Sequence, residues 1–460
     1  MELPIDFKTR IKDILGSEME AFENSLTSPS PVSVRINPLK NTDPIPVDER
    51  IDWCKSGKYL SQRPVFTLDP FFQAGAYYVQ EASSMFLEQI LEQILDLSQD
   101  IKILDLCAAP GGKSTHIASL INSKSLLISN EVIRSRVNIL EQNIAKWGTQ
   151  NVFITNNDPK DFSALKNYFD IIVIDAPCSG EGMFRKTPEA KEEWSMDNVN
   201  LCSSRQKRIL GDVIDSLKPG GFLIYSTCTF NLEENENNID WILENNPDFE
   251  SIKINTNPHW NILENKITKE DKLLYSYRFY PHKLKGEGFF SACLRKKENE
   301  NEFHSNYKSK PRQSNEAVQK KLIPLLNKWI KNPTEYSFLN HNNEVYALKN
   351  NQVDDFEKLK RILNIRHAGI NMGKLMRDEL LPAHFLALNP AISDDIQKIE
   401  VSLEQALLYM KREDFNAKNI TIKGWALITY EGLNLGWIKI LNNRINNYFP
   451  KEWRIRMAID

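Results

Sequence analysis

Apolar and polar positions change their period along this chain, and the changes mark its organisation. Residues 5–26 carry Ile11, Ile14, Leu15, Met19 and Phe22 at helical spacing, which predicts a helix. A Pro- and Ser-rich break from Ser28 to Pro31 follows, then a short strand over Val32–Asn37; residues 82–97 predict a further helix. From 101 the texture becomes short apolar runs: Ile101–Leu106, Leu126–Ser129, Val152–Thr155, Ile171–Asp175 and Phe222–Ser226. Helical stretches such as 134–146 and 201–217 separate them. Strands alternating with helices imply right-handed βαβ units and a doubly wound parallel sheet. Residues 295–320 are polar and read as a linker, with Lys308, Lys310 and Arg312 among Asn, Ser and Glu. Beyond it, Trp425–Tyr430 and Gly436–Ile440 flank Glu431-Gly432 in the pattern of a hairpin.

The chain has 460 residues, enough for two to four domains at roughly 100–200 residues each. Apolar residues make up 41% and charged residues 26%, an ordinary globular composition. No run approaches the ~20 apolar residues that span a bilayer, and the start lacks the basic and apolar regions of a signal peptide. The net charge of −3 does not advertise nucleic-acid binding, so local patches must decide. Six cysteines at 54, 107, 178, 202, 228 and 293 form no CxxC pair and are too sparse for a disulfide scaffold. His and Cys do not cluster at ligand spacing, so no metal is expected. Reduced thiols in a cytoplasmic protein fit best.

In a doubly wound sheet, ligands lie beyond the carboxyl ends of the strands. The first strand ends at Asp105 and is followed by Cys107-Ala108-Ala109-Pro110-Gly111-Gly112-Lys113-Ser114. Small residues there let the backbone approach a ligand closely. The segment nearly matches the phosphate-binding P-loop, with Cys107 in place of its first glycine, and Ile171–Asp175 resembles an acidic magnesium strand. An NTPase is therefore a rival. The other strand ends oppose it. Glu131 ends the second strand, where a carboxylate accepts ribose hydroxyls. Asp158 follows the third. Asp175-Ala176-Pro177-Cys178 ends the fourth, and Ser226-Thr227-Cys228 the fifth. A nucleoside site beside two cysteines is not NTPase equipment.

At these residues the chain resembles the RNA (cytosine-5)-methyltransferases of the Sun/Fmu type. The matching segments run in the family's order: Arg35–Pro38, Tyr78–Ser84, Asp105–Thr115, Asp175–Lys186, Lys218–Gly221, Ser226–Asn231 with Glu233–Glu236, and Gly286–Phe290. The C-terminal Lys423-Gly424-Trp425, Leu435-Gly436-Trp437 and Pro450-Lys451-Glu452 look like the PUA-like tail of the bacterial RsmF/YebU branch, with Asn446 where that branch often carries a basic residue. The resemblance implies an α/β chain: a doubly wound, Rossmann-like methyltransferase core with an N-terminal α+β lobe and a small C-terminal PUA-like α+β RNA-binding domain. The divisions it suggests are 1–98 for an RNA-binding lobe, 99–296 for the methyltransferase, 297–320 for the linker and 321–460 for the C-terminal region. It implies S-adenosylmethionine as cofactor, held by residues 107–113, Glu131, Asp158 and Asp175. Cys228 would be the nucleophile toward carbon 6 of cytosine and Cys178 would assist release of the adduct, with Asp175 and Lys113 touching the base. RNA is the implied partner, most of all small-subunit ribosomal RNA or the assembled subunit; transfer RNA, or an idle RNA-binding assembly factor, are the alternatives.

The chemistry is sensible on its own terms. Carbon 5 of cytosine is a poor nucleophile, and thiolate addition splits a hard step into easier ones. The bland readings stand beside it. A lone strand-end cysteine is usually a small buried hydrophobe, which suffices for Cys54, Cys202 and Cys293, and Cys107 reads as lining its loop. Glu131 could be a helix N-terminal charge, and Asp158, ahead of Pro159, could cap a turn. Arg185 and Lys186 read as phosphate contacts. Five basic residues against Glu452 over 439–456, interleaved with Trp437, Tyr448, Phe449 and Trp453, read as an RNA face. His116 and His282 read as structural or peripheral.

Overall fold

Short runs rich in Ile, Leu and Val hide both faces only in a sheet covered on each side. The computed structural model describes residues 2–46, 49–187, 189–269, 272–298, 316–377, 379–415, 423–442 and 444–458. Its central strands are β1 (Lys102–Asp105), β2 (Leu126–Asn130), β3 (Val152–Thr155), β4 (Phe169–Asp175) and β5 (Leu217–Thr227). They lie in the order β3-β2-β1-β4-β5, every pair parallel. Winding reverses between β1 and β4, so a crevice opens there beyond the carboxyl ends. Strands β6 (Leu263–Lys269), β7 (Lys272–Phe279) and β8 (Phe289–Lys296) extend the sheet past β5 with antiparallel pairing. Arg295 and Lys296, expected in the linker, end β8. Residues 299–315 of that linker, with Lys308, Lys310 and Arg312, lie outside the described residues.

Helix ends differ from the sequence pattern for local reasons. The expected 5–26 helix is two helices, Ile5–Leu15 and Met19–Thr27. Gly16 interrupts them at φ 55°, a conformation that glycine adopts freely. The 201–217 expectation becomes Met196–Val213, because the Ser195 side chain accepts a hydrogen bond from Asn198 N and starts the helix early. The helix Arg134–Trp147 ends at Gly148, a left-handed C-cap. The C-terminal hairpin forms as Gly424–Tyr430 and Leu433–Leu441. Both Glu431 and Gly432 take positive φ, as a two-residue hairpin turn demands.

The lobes on either side are not appendages. In the N-terminal lobe, Glu49–Arg50, Gly57–Leu60, Val32–Ile36 and Tyr77–Val79 form a four-stranded sheet. Its Val34, Ala76 and Tyr77 pack in one apolar cluster with Ala406, Tyr409, Ile428 and Phe449 from the far end of the chain. Arg35, fully buried, crosses from this lobe to the helix Gly112–Leu120. It donates to Thr115 Oγ1 (2.6 Å), Gln80 Oε1 (2.9 Å) and Ser119 Oγ (3.3 Å), and its guanidinium lies 4.3 Å from the Trp147 ring.

The C-terminal region enters the central sheet as well. Strand β9 (Ile365–Ala368) pairs antiparallel with β3, with Ala368 opposite Phe153 and His367 opposite Ile154. Leu348, Phe356, Leu359 and Ile365 share a core with Leu104, Ile128 and Phe153. The expected separation of 321–460 behind a linker thus meets a difference: part of that region closes the sheet's edge. An unpaired edge strand and an uncovered apolar face both favour aggregation. A chain cut after residue 298 should therefore be insoluble or lose its cooperative unfolding transition in circular dichroism melts; a soluble, sharply melting fragment would show that β9 is dispensable.

Candidate active site

The parallel register of the sheet brings the strand-end motifs together. Asp105 ends β1, and the loop behind it is pinned from two directions. Ala108 N donates to Asn130 O (2.8 Å), while Arg136 Nη2 donates to Ala109 O (2.6 Å) and Asn143 Nδ2 to Pro110 O (2.7 Å). Gly111 sits at φ 116°, closed to other residues, and starts the helix Gly112–Leu120. Cys107 lines this loop half-buried, and burial pushes its thiol up. Asp105 is fully buried; Oδ2 accepts from Ser114 Oγ at 2.6 Å and Oδ1 accepts nothing among the described residues. Burial pushes its carboxyl up to about 7.

Glu131 follows β2, with its side chain almost wholly buried. Oε1 accepts from Ile133 N at 2.9 Å. Oε2 is 3.2 Å from Arg136 Nη1 but accepts no hydrogen bond. Two buried acceptor oxygens without donors, on Asp105 and Glu131, flank the small-residue loop. A nucleoside carrying a ribose diol and an ammonium group supplies such donors, so the residues present fit S-adenosylmethionine. Asp158 is half-exposed and accepts from Lys160 N at 3.2 Å, capping the turn Pro159–Ala164.

At the switch point, Lys113 Nζ is 2.8 Å from Asp175 Oδ2, and Asp175 Oδ1 accepts from Ser226 Oγ at 2.9 Å. Lys113 is thus held by a neighbouring strand end. Three residues past Asp175 and two past Ser226, the Cys178 and Cys228 sulfurs lie 2.9 Å apart, and Cys228 N donates to Cys178 Sγ at 3.4 Å. The hydrogen bond to Cys228, then burial, pushes the Cys178 thiol well up. The two sulfurs therefore share one polar contact, in which either can be the donor.

Both cysteine loops are tied to buried carboxylates that carried no role in the sequence beyond belonging to the quoted motifs. Glu181 accepts from Thr229, Phe230 and Asn231, and Glu234 from Ser179 and Gln206. Gly182 N donates to Cys228 O at 2.8 Å, and a Cβ at Gly182 would lie 2.4 Å from Gly288 O, so a side chain there would force the loops apart.

Several expected contacts are corrected. Arg185 is buried and donates to Glu287 Oε2 (2.9 Å), Gly286 O (2.6 Å) and Ser25 O (3.2 Å), so it is spent on closing the N-terminal lobe against this loop rather than on phosphate. Lys186 stays exposed, 3.9 Å from Glu287 Oε1. Trp437 and Phe449 are core residues, not RNA platforms, and Trp437 Nε1 donates to Ala383 O at 2.8 Å. Lys439 pairs with Glu379 at 2.6 Å. Tyr448, Arg444, Lys451, Arg454 and Arg456 remain exposed. His116 is buried and 2.9 Å from Glu88 Oε2, which also accepts from the Cys54 thiol at 3.2 Å. These three ligand-type residues converge from distant segments, a clustering that their spacing along the chain did not show, and they hydrogen-bond to one another. Burial lowers His116 to about 4.

The chain matches three family descriptions: 16S rRNA methyltransferase RsmB/F over residues 92–295, N-terminal domain of 16S rRNA methyltransferase RsmF over 3–82, and Methyltransferase RsmF PUA domain over 396–455. It is 30% identical to Ribosomal RNA small subunit methyltransferase F of Vibrio vulnificus, over 98% of this chain and 97% of that one. A crystallised methyltransferase homolog protein from Pyrococcus horikoshii is 30% identical, with a TM-score of 0.53 over 63% of this chain and 94% of that chain. NSun6 from the same organism, crystallised with SFG, shares the fold at 22% identity and a TM-score of 0.52, over 64% of this chain and 99% of that chain.

Two tests follow from the orphaned carboxylates. Removing the charged acceptor of Glu131 should cost about 1.5–3 kcal/mol of S-adenosylmethionine binding. Calorimetry on Glu131→Ala should show roughly ten- to hundredfold weaker binding, and unchanged affinity would remove Glu131 from the site. Asp105 holds its proton in the folded protein up to a pH of about 7, whereas an unfolded chain releases it near ~4. Unfolding therefore releases a proton in that window, and cofactor-free protein should lose stability as pH rises from ~4 to ~7. Denaturant melts of Asp105→Asn should lack that part of the slope; identical pH profiles would overturn it.

Proposed function

We propose that this chain, which belongs to the 16S rRNA methyltransferase RsmB/F family, methylates carbon 5 of a cytosine in small-subunit ribosomal RNA through a covalent cysteine adduct. S-adenosylmethionine is the cofactor. The observation that carries the reading is the pair of sulfurs 2.9 Å apart beside the Lys113–Asp175 pair. When bound, the cofactor supplies an electrophilic methyl group on a sulfonium.

The Cys228 thiolate adds its electron pair to carbon 6 of the base, and the double-bond electrons move to carbon 5. Carbon 5 then takes the methyl group. Its hydrogen passes as a proton to water, the C–H electrons restore the double bond, and Cys228 leaves with the C–S electrons as a thiolate. Cys178 assists this last step from across the sulfur pair. Asp175 and Lys113 hold the polar edge of the base, and residues 107–113, Glu131 and Asp158 hold the cofactor. A base inside a duplex cannot reach this crevice, so the target nucleotide is extruded or unpaired.

Substrate choice is supported by the chain's ends. The N-terminal lobe (1–98) and the C-terminal region (321–460) act as RNA-binding parts, with Arg444, Lys451, Arg454 and Arg456 as the exposed phosphate contacts. No helix among the described residues is long and apolar enough to cross a membrane, and the reaction is set in the cytoplasm.

The two cysteines are separable. With Cys178→Ala, attack and methyl transfer continue while release fails, so labelled RNA should run as a slow band on denaturing gels. Cys228→Ala and the double variant should show no band and no methylation. A band from Cys228→Ala that vanishes in the double variant would reverse the roles. Intact methylation in both single variants would end the covalent mechanism.

A further inference from the structure

We infer that Glu181 is a positioning residue that sets the distance between the two thiols, an inference resting on the proposed roles of Cys228 and Cys178. Its side chain is 1% exposed. Five donors converge on it. Oε2 accepts from Thr229 Oγ1 (2.6 Å), Phe230 N (2.8 Å) and Asn231 N (2.9 Å), the three residues that follow Cys228. Oε1 accepts from Trp194 Nε1 (3.0 Å) and Asn231 Nδ2 (3.1 Å). Glu181 itself stands three residues beyond Cys178, in the turn Glu181–Met183. One carboxylate thus joins the Cys178 loop to the Cys228 loop through backbone and side chain.

No Lys, Arg or His pairs with Glu181 among the described residues, so the charge is buried on hydrogen bonds alone. A buried anion without a cation is costly unless every lone pair is used. That cost gives a rigid link which an apolar contact, being non-directional, could not supply. The link is reinforced from both loops. Gly182 N donates to Cys228 O at 2.8 Å, and Ser179 Oγ lies 3.2 Å from Thr229 Oγ1. Glu234 accepts from Ser179 N (3.0 Å) and from Asn231 Nδ2 (2.7 Å), closing the same bracket from the next turn.

The chemistry of the acceptor makes the inference testable. Glutamine has one oxygen, so Glu181→Gln must turn an NH2 group toward two or three donors. The bracket then opens on one side while volume is kept. The direct readout is thiol pairing. With diamide in excess, one thiolate adds to its N=N bond and the other sulfur then displaces the reduced hydrazine; the pair gives up two electrons and two protons in all, and this second, closure step runs at a rate set by how often the sulfurs meet.

In full-length Glu181→Gln, disulfide formation should slow at least tenfold and kcat should fall by a similar factor. S-adenosylmethionine affinity should stay within twofold. Disulfide rate and kcat both within twofold of the parent would overturn the inference, as would loss of kcat with an unchanged disulfide rate. Should Glu181→Gln not fold, Thr229→Val removes a single donor, and the same two rates decide. The thiol-pairing rate needs no RNA. If Cys178→Ala traps no adduct, the catalytic reading fails while Glu181 is still judged by that rate.

Discussion

The parallel pairing of β4 with its two neighbours is the constraint on which the site depends. Asp105 lies opposite Val173 and Asp175 opposite Ser226, so β4 and β5 finish together and β1 ends two residues short of them, leaving room for its loop. A shift of one residue would turn every side chain to the other face. It would separate Lys113 from Asp175, and Asp175 from Ser226. The register is held by strands buried on both faces, where Ile172, Val173, Leu223 and Ile224 leave no alternative packing.

Around this frame the flanking lobes act as braces on the loops. Arg35 spans from the N-terminal sheet to the helix after the small-residue loop, spending its guanidinium on Gly112, Thr115 and Ser119 of that helix and on Gln80. Arg185 does the converse, fastening the loop beyond Cys178 to Glu287 and Ser25. Phe7, Phe22, Phe184, Trp194 and Phe230 share one cluster, so the first helices rest on the cysteine loops themselves. Strand β9 closes the opposite edge of the sheet. The two end lobes and the cysteine loops thus share continuous packing with the central sheet.

Buried polarity is concentrated where position matters. Glu181, Glu234, Asn231 and Asn235 are almost wholly buried beside Cys228, and their donors and acceptors are matched. Asp105 and Glu131 are buried with one oxygen each unmatched. Matched groups hold a fixed geometry; unmatched ones leave hydrogen-bonding capacity for a ligand. The contrast separates the matched network beside Cys228 from the unmatched oxygens beside the small-residue loop.

The sequence by itself determined the alternation of strands and helices, the strand-end positions of Asp105, Glu131, Asp175, Cys178 and Cys228, and the hairpin at Glu431-Gly432. Those follow from local periodicity and turn chemistry, which a linear reading captures. It misjudged Arg185, Trp437 and Phe449, since a charge or an aromatic ring does not announce whether it faces water or a core. The antiparallel extension β6–β8, the pairing of β9 with β3 and the core shared by the two chain ends were decided only in three dimensions. Residues hundreds of positions apart meet there, and such contacts depend on which apolar faces remain uncovered once the central sheet has formed. The roles of Arg35 and Glu181 are of the same kind. A buried charge takes its function from its partners, and those partners are set by the fold.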